Sequence, residues 1–370
     1  MSVDFHRLTV KDVRRETPDA VSIAFEVPDD LAGRFAFRHG QYLTLEAEIG
    51  GERLRRSYSI CSGLDDGEIR VAVKKVDGGR FSAFANEALK AGATIDVMVP
   101  MGRFTVPLDP EAERTYLAVA AGSGITPVLS IVKTVLAREP KSECVLVYGN
   151  RTQGDILFRE ALDDLKDRFL SRLSVHHVLS REHGDVELLN GRIDGDKIAA
   201  IAGRAVGIGE IDHAFLCGPW GLVDDVRRRL TAEGLAPERI HAELFTPADG
   251  APATRTTVAA GGAARAEVAT AGTVPSAAGA AAEIVLNGRR TPVAVAAGET
   301  IVEAAQRAGL DVPYSCKGGM CCTCRAKVVE GAVDMAVNYS LEPWELAAGF
   351  VLTCQSRPVG GKVVVDYDAV

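Results

Sequence analysis

The sequence lacks three features that would indicate a nucleic-acid-binding, exported or membrane protein. Its 42 basic residues are outnumbered by 50 acidic ones, giving a formal charge of −8, and no basic stripe indicates nucleic-acid binding. The first seven residues include charged side chains and lack the apolar core of a signal peptide. The most apolar run, residues 117–132, is interrupted by Gly122, Gly124 and Pro127, so we do not expect it to span a membrane. We therefore expect a soluble protein.

Cysteine is scarce along most of the chain and concentrated near its C-terminal end. Three of the eight cysteines precede residue 316. Four of the others form a C-x4-C-x2-C pattern with a later fourth member, namely Cys316, Cys321, Cys324 and Cys354. This is the plant-type spacing of the thiolate ligands of a [2Fe–2S] cluster. Gly318 and Gly319 would let the loop wrap closely and direct N–H groups at sulfur.

A structural zinc site is the alternative metal centre for these cysteines. Zinc sites more often use two C-x2-C pairs, and only Cys321 and Cys324 form one here. Cys322 has no place in the ligand pattern, and we expect it to pack beside the ligands. Thiols committed to a cluster favour a reducing, cytoplasmic location over a disulfide framework. A cluster of this kind moves one electron at a time, so other parts of the chain should supply that electron.

A chain of 370 residues is expected to form two or three domains. Residues 1–108 contain short alternating strands and turn signals, which predict an antiparallel β-barrel with a helical stretch near residues 80–90. Residues 109–245 alternate strand-like and helical runs, which predict an α/β domain with a parallel sheet.

The C-terminal part is predicted to be a separate α+β domain behind a linker. Residues 246–282 are dominated by Ala, Gly, Thr and Pro without an aromatic side chain, which predicts a linker that buries no core. In residues 283–370, Asn287-Gly288 predicts a hairpin, and Thr300-x-x-Glu303 is a capping box that predicts a helix start. The cysteine loop and further strands follow.

Five short motifs occur in a definite order along these domains. They are Arg56-Ser-Tyr58-Ser59, Gly79-Arg-Phe-Ser82, Ala121-Gly-Ser-Gly-Ile-Thr-Pro127, Cys217-Gly-Pro219 and Glu243-Leu-Phe245. With the cysteine loop behind them, this order resembles the ferredoxin–NADP reductase superfamily with a fused plant-type ferredoxin domain. The resemblance covers the chain except the linker. It implies a FAD-binding barrel, an NADP-binding α/β domain and a β-grasp ferredoxin domain.

The resemblance implies that the barrel motifs bind a flavin. Arg56 would pair with the phosphates, Tyr58 would pack along the isoalloxazine, and Ser59 would hydrogen-bond near its N5 atom. Gly79 and Ser82 would hold the pyrophosphate. Because both phosphate-binding elements are present, FAD is favoured over FMN.

The α/β motifs are implied to bind the nicotinamide nucleotide. The pyrophosphate would lie on the loop and helix start formed by Gly122, Gly124 and Thr126. Cys217, Gly218 and Pro219 would lie on the nicotinamide side. Ser180 and Arg181, assisted by Arg151, would bind a 2′-phosphate, which favours NADPH over NADH. Phe245 would stack on the flavin where the nicotinamide enters, although the chain continues beyond it, unlike that of single-domain relatives.

The resemblance implies an enzyme that passes electrons from NADPH through FAD and the cluster to a protein acceptor. Ser59, Cys217, Glu243 and Phe245 are the expected catalytic residues. The cysteine loop is most similar to those of reductases of diiron oxygenases, and Lys317 and Met320 are candidate contact residues for that partner. An aromatic-ring dioxygenase or another diiron monooxygenase is the alternative acceptor. A non-enzymatic redox sensor or electron carrier is the alternative of another class, disfavoured by the intact flavin and nucleotide motifs.

One further pair of residues tempts a metal-site interpretation. His176 and His177 are adjacent in a predicted strand. Neighbours on a strand point to opposite faces, so we do not expect them to share a metal ion.

Overall fold

Alternating apolar side chains bring the N-terminal strands together as an antiparallel sheet. The computed structural model describes residues 5–245, 254–262, 264–268 and 280–369. Its first six strands are β1 (Phe5–Thr17), β2 (Ala20–Glu26), β3 (Tyr42–Ile49), β4 (Glu52–Ser59), β5 (Ile69–Lys74) and β6 (Thr94–Met98). They are ordered β4-β3-β6-β1-β2-β5, and helix α1 (Arg80–Glu87) packs against them. Leu8, Leu43 and Phe81 are buried in this core, as the prediction of a barrel with a short helix requires.

The next stretch alternates strands with helices and forms a five-stranded parallel sheet. Its strands are β7 (Thr115–Ala121), β8 (Glu143–Asn150), β9 (Leu173–Leu179), β10 (Ile211–Gly218) and β11 (Ile240–Leu244). Its helices are α2 (Ile125–Arg138), α3 (Arg159–Arg168), α4 (Gly195–Ala205) and α5 (Trp220–Ala232). The strand order is β11-β10-β7-β8-β9, so the chain reverses its direction of winding between β7 and β10. Ligands of open α/β sheets bind beyond the carboxyl ends of the strands at such a switch point.

The chain divides near residue 248 into two compact units, and the second unit has a sheet and core of its own. Its strands are β12 (Thr254–Ala259), β13 (Ala264–Val268), β14 (Ala280–Leu286), β15 (Arg289–Val295), β16 (Arg325–Met335), β17 (Phe350–Leu352) and β18 (Ser356–Asp366). Its helices are α6 (Ile301–Arg307) and α7 (Pro343–Ala347). The order is β13-β12-β16-β18-β14-β15, with β17 beside β16.

The structure differs from the expected linker between residues 246 and 282. Strand β12 lies within that range and pairs antiparallel with β16, and β13 pairs with β12. Thr256 and Val258 are 2% and 0% exposed, so their alternation gives β12 a buried face even without an aromatic residue. The prediction of a coreless linker is therefore wrong for β12, and the rest of the expected linker lies largely outside the described residues.

The short local signals of the second unit are confirmed. Asn287 and Gly288 form the turn between β14 and β15 and both have positive φ, at 55° and 70°. Thr300 and Glu303 form the expected capping box at the start of α6. None of the helices in the described ranges is long and apolar enough to cross a lipid bilayer.

Candidate functional site

Three side chains predicted to be catalytic come together at the carboxyl end of the parallel sheet. Cys217 on β10 is paired in register with Glu243 on β11. The Ser59 hydroxyl, at the end of β4, donates a hydrogen bond to Glu243 Oε2 at 3.3 Å. Residues from two different sheets therefore meet in one cluster, although they are far apart in the sequence.

The surroundings of these three side chains raise the pKa of two of their groups. Burial raises the pKa of the Glu243 carboxyl to about 7, although the hydrogen bond from Ser59 favours its charged form. Burial also raises the pKa of the Cys217 thiol well above its usual range, and the nearby Glu243 carboxylate adds to this shift. The cluster thus offers a neutral thiol and a carboxyl that gains or loses a proton close to pH 7.

Arg56 and Tyr58 present a cation and an aromatic ring on the face of β4 opposite to that of Ser59. Successive side chains of a strand alternate between faces, so Arg56 and Tyr58 share one face while Ser59 takes the other. Arg56 is exposed and donates to the backbone oxygen of Arg55 at 2.7 Å. The Tyr58 ring lies 5.8 Å from that of Phe81, between centroids, and burial raises its pKa. This arrangement fits the phosphates and ring system of a flavin nucleotide.

The loop before α1 is shaped by Ser82. Its hydroxyl donates to the Gly79 carbonyl at 3.0 Å and accepts from the backbone N–H of Val76 at 3.1 Å. A Cβ at Gly79 would lie 2.5 Å from Ser82 Oγ, so a residue larger than glycine at position 79 would clash with Ser82. Because no side chain caps α1, the N–H groups of its first turn are available to an anion. Ser82 itself is buried and orders the loop that would hold a pyrophosphate.

A cavity of about 630 Å³ lies beyond the switch point of the parallel sheet. Seven residues that the sequence assigns to the nucleotide or to catalysis line it, namely Gly122, Gly124, Arg151, Ser180, Gly218, Pro219 and Phe245. A Cβ at Gly124 would lie 2.3 Å from the Cys217 carbonyl oxygen, so only glycine allows the β7–α2 turn to pass this close to β10. The position and the size of the cavity suit a dinucleotide.

Two residues predicted to bind the nucleotide do not line this cavity, and two cationic side chains that were not predicted do. Thr126 is 2% exposed and donates to the Ser123 carbonyl at 3.0 Å, so it holds the turn together. Arg181 is exposed, outside the set of lining residues. Lys74 and Arg192 line the cavity and were not predicted. Lys74 comes from the barrel strand β5 and Arg192 from a loop, so no local motif indicates either of them.

The cysteine loop directs backbone N–H groups at sulfur, as the glycines predicted. The Gly318 N–H donates to Cys316 Sγ at 3.3 Å, and the Cys316 N–H lies 3.5 Å from Cys321 Sγ. Gly319 has a positive φ of 76°, and its N–H stabilises the Cys354 thiolate. Such donors favour the thiolate form that iron requires.

The four predicted ligands form two contacting pairs. A hydrogen bond from Cys321 lowers the pKa of Cys316 to about 5, and one from Cys324 lowers the pKa of Cys354. A [2Fe–2S] cluster binds four thiolates, two on each iron. Two pairs held by N–H donors therefore fit this cluster.

The residues beside the ligands have structural partners. The Tyr367 hydroxyl donates to Thr353 Oγ1 at 2.7 Å, and Thr353 Oγ1 donates to the Cys324 carbonyl at 2.7 Å. These hydrogen bonds connect the backbone at Cys324 to Thr353, which follows β17 and directly precedes Cys354. Cys322 Sγ contacts Ser340 Oγ at 3.0 Å, as expected of a thiol that packs beside the ligands.

The two candidate partner contacts differ in exposure. Lys317 is exposed and donates to Gln306 Oε1 at 2.7 Å. Met320 is only 9% exposed. This low exposure argues against Met320 as a surface contact.

Comparison with family models identifies a function for each of the three regions. An oxidoreductase FAD-binding domain matches residues 7–106, an oxidoreductase NAD-binding domain matches residues 118–228, and a 2Fe-2S iron-sulfur cluster binding domain matches residues 284–359. These matches confirm the predicted classes of cofactor: FAD, a nicotinamide nucleotide and a [2Fe–2S] cluster.

Relatives match along nearly the whole chain. It is 47% identical over 365 residues to a component of the 1,2-phenylacetyl-CoA epoxidase of Escherichia coli (strain K12), covering 99% of this chain and 98% of the relative. It is 35% identical over 370 residues to the ferredoxin reductase component of 3-ketosteroid-9-alpha-monooxygenase of Rhodococcus rhodochrous, covering 97% and 96%. These relatives confirm an oxidoreductase that serves as the electron-transfer component of an oxygenase.

Solved structures show the same architecture. Phthalate dioxygenase reductase aligns with a TM-score of 0.58 at 24% identity and covers 98% of both chains. A ferredoxin NADP+ reductase from Neisseria gonorrhoeae aligns with a TM-score of 0.55 at 20% identity, covering 66% of this chain and 99% of its own. At these identities the likeness concerns the fold.

Proposed function

Because the chain belongs to the family of FAD- and NAD-binding oxygenase reductases with a fused [2Fe–2S] domain, we propose that it is the reductase of a phenylacetyl-CoA epoxidase. In this proposal electrons pass from NADPH through FAD and the cluster to a diiron oxygenase component. The observation that carries the proposal is the 47% identity to a component of that epoxidase over 99% of this chain.

The Ser59–Cys217–Glu243 cluster is suited to hydride transfer. Bound FAD would supply the redox chemistry, since a flavin can take up a hydride and pass on its two electrons one at a time to the [2Fe–2S] cluster. The Ser59 hydroxyl orients the flavin ring by hydrogen bonding. The neutral Cys217 thiol would pack beside the nicotinamide. The Glu243 carboxylate would accept the proton that the reduced flavin releases as its electrons leave, because a pKa of about 7 lets this group gain and lose a proton at the working pH.

The remaining motif residues bind the flavin and keep water away from it. Arg56 and the uncapped first turn of α1 behind Gly79 bind the flavin phosphates. Tyr58 packs against the ring system. Phe245, on the cavity wall, covers the flavin where the nicotinamide enters and excludes water until the nucleotide displaces it.

The cluster is the exit for electrons. Plant-type clusters lie near about −400 mV, low enough to reduce the metal of an oxygen-activating enzyme. The four paired thiols hold it in the second unit, where exposed Lys317 lies beside Cys316. We place the reaction in the cytoplasm, whose thiol-reducing conditions keep such ligands reduced.

Reconstitution with the oxygenase tests the proposal. The purified chain with NADPH should support epoxidation of phenylacetyl-CoA by the diiron oxygenase, measured as product formed per NADPH consumed. Cys354→Ser should abolish this turnover but leave NADPH-to-ferricyanide activity largely intact, because ferricyanide takes electrons from the flavin. Cys322→Ser is the matched control and should retain both the visible cluster spectrum and epoxidation.

Reductase of another oxygenase is the second candidate function. It is favoured by the 35% identity to the reductase component of a steroid monooxygenase. Turnover of such an oxygenase or of an aromatic-ring dioxygenase with this chain, while the epoxidase stays inactive, would replace the first candidate with the second.

A further inference from the structure

We propose that Ser130 and Thr134, two buried hydroxyl residues of α2, are positioning residues that hold the nucleotide-binding loop at a fixed distance from the flavin-binding strand β4. The inference rests on the proposed transfer of a hydride from NADPH to FAD and deepens it, because it names the contact that sets the distance between the two cofactors. The flavin motifs lie on the barrel and the nucleotide loop lies on the parallel sheet. Helix α2 is bonded to both.

Helix α2 carries three hydroxyl residues on a buried surface that is otherwise mostly aliphatic. Thr126, Ser130 and Thr134 are all buried, and their spacing of four places them on one face of the helix. Buried hydroxyl groups require hydrogen-bond partners. Each of these three is bonded to a backbone group, so the stripe connects α2 to main chain at three successive turns.

The first hydroxyl holds the nucleotide loop, and the other two hold the segment that follows β4. One turn beyond Thr126, the Ser130 hydroxyl donates to the Ser62 carbonyl at 2.7 Å. After a further turn, Thr134 Oγ1 accepts from the Leu64 N–H at 3.2 Å. We call this contact between α2 and residues 62–66 the α2 junction. About 6 Å of helix rise separates the bond to the nucleotide loop from the first bond to the barrel.

The barrel side of the α2 junction is continuous with the flavin motif. Ser62 follows Ser59 by three residues. The Ser62 hydroxyl accepts from the Arg70 N–H at 3.1 Å, and the Cys61 N–H donates to the Arg70 carbonyl at 2.8 Å. Because Arg70 belongs to β5, these bonds fix the segment to the barrel. The Ser62 carbonyl is therefore a fixed point close to the strand that carries Ser59.

The last turn of α2 is anchored to the parallel sheet. Arg172 donates to the carbonyls of Leu136, Glu139 and Ser142 at 2.8, 3.1 and 2.9 Å. The α2 junction is then what fixes the first turns of the helix, and the nucleotide loop with them, against the barrel. Hydride transfer requires reacting atoms roughly 3–3.5 Å apart, and a displacement of about 1 Å can cost a hundredfold in rate.

Two exposed ion pairs border the α2 junction. Lys133 pairs with Asp66 at 2.8 Å, and Arg138 Nε pairs with Asp65 Oδ2 at 2.8 Å. Exposed ion pairs are screened by water and contribute little, whereas enclosed hydrogen bonds are stronger and costly to leave unmade. The positioning role therefore belongs to the two hydroxyls.

The close approach at the α2 junction depends on Gly63. A Cβ there would lie 2.9 Å from Lys133 Cβ, so an alanine would push the barrel segment away from α2. Gly63→Ala opens the junction by steric pressure, whereas loss of the hydroxyls opens it by loss of hydrogen bonds. The two changes should have the same effect on hydride transfer.

Anaerobic rapid mixing of the full-length holoprotein with NADPH, followed by the absorbance of oxidised flavin, tests the inference. The double variant Ser130→Ala/Thr134→Val should reduce its flavin roughly tenfold to hundredfold more slowly than wild type, while its Kd for NADP+ changes less than about twofold. The long-wavelength absorbance of nicotinamide stacked on flavin should weaken in parallel, because it depends on the distance between the rings. Restoring the acceptor, in Ser130→Ala/Thr134→Ser, should recover part of the rate.

Three single variants complete the comparison. Gly63→Ala should slow flavin reduction as the double variant does. Gly33→Ala is its control, because Gly33 is exposed and no atom lies within 4 Å of an added Cβ. Ser356→Ala removes an equally buried hydroxyl that donates to the Leu352 carbonyl at 2.9 Å in the second unit. Both controls should reduce their flavin at the wild-type rate.

The slowing should be equal with NADH and NADPH, because both carry the same nicotinamide ring. Wild-type rates in the double variant and in Gly63→Ala would overturn the positioning role. A slowing confined to NADPH, or one explained entirely by weaker NADP+ binding, would overturn it as well.

The wild-type protein separates this inference from the proposed function. If its flavin is reduced by either nucleotide but the epoxidase stays inactive, the proposed partner is wrong and the positioning role stands on the measured rates. If neither nucleotide reduces the flavin, both the proposed function and the positioning role are refuted.

Discussion

The Glu243 carboxyl is buried and yet ionises close to neutral pH. Its pKa is about 7 rather than the ordinary 4.5 because burial disfavours its charge. A raised pKa means that the folded protein binds this proton more tightly than the unfolded chain does. The resulting stabilisation is complete below pH 4.5, the ordinary value, and is lost as the pH rises through about 7. The shift corresponds to about 3 kcal/mol at most.

Glu243→Gln should therefore stabilise the protein at high pH and not at low pH. Glutamine resembles the protonated carboxyl and never ionises, so the gain in Tm over wild type should be larger at pH 8 than at pH 5. Thermal unfolding followed by flavin fluorescence measures it. Glu48→Gln, which neutralises an exposed carboxyl on β3, is the control and should show no such pH dependence. A gain that is equal at both pH values would contradict the assigned shift.

Among the elements, β12 shows that a segment rich in small residues can complete a core. Val258 is fully buried, and Arg255 pairs with Asp334 on β16. At the turn that follows, Gly262 has a φ of 83°, and a Cβ there would lie 1.7 Å from the Ala347 carbonyl oxygen. The strand is thus held along its length by β16 and at its end by α7.

Val258→Ala should destabilise the ferredoxin-type unit by about 2 kcal/mol, as expected for a buried side chain that leaves a cavity. The urea midpoint for loss of cluster absorbance should fall accordingly. Thr257→Ala is the control, because Thr257 lies on the opposite face of β12 and is only partly buried. Equal midpoints for Val258→Ala and wild type would show that β12 does not stabilise the core and acts only as a linker.

Elements with local signals could be predicted from the sequence, and those set by tertiary contacts could not. The turn at Asn287 and the capping box at Thr300 depend on residues within three positions, so their motifs were sufficient. Glu243 and Ser59 were found through a resemblance, although 184 positions separate them. The position of Arg192 beside the cavity depends on the bridge between Asn190 and Leu179, which no sequence motif indicates. The pairing of β12 depends on β16, which lies far along the chain beyond the whole cysteine loop.

At the scale of the whole molecule, charge does not favour attraction between the reductase and ferredoxin parts. Residues 1–245 carry 38 acidic and 32 basic side chains, a net charge of −6. Residues 283–370 carry 10 acidic and 8 basic side chains, a net charge of −2. Like charges of this size repel weakly. Something other than charge must therefore keep the flavin and the [2Fe–2S] cluster close enough for electron transfer.

The covalent connection supplies that proximity through effective concentration, which is on the order of millimolar for modules joined by a short linker. A protein cleaved between residues 248 and 254 should therefore reduce cytochrome c slowly at micromolar concentrations of its two halves, while flavin-to-ferricyanide activity persists. The rate should rise as more of the ferredoxin half is added, and added salt should not slow it, because screening removes a repulsion. The uncleaved chain at the same concentration is the control. Undiminished cytochrome c reduction by dilute halves would show that a tight non-covalent interface, and not the connection, brings the flavin and the cluster together.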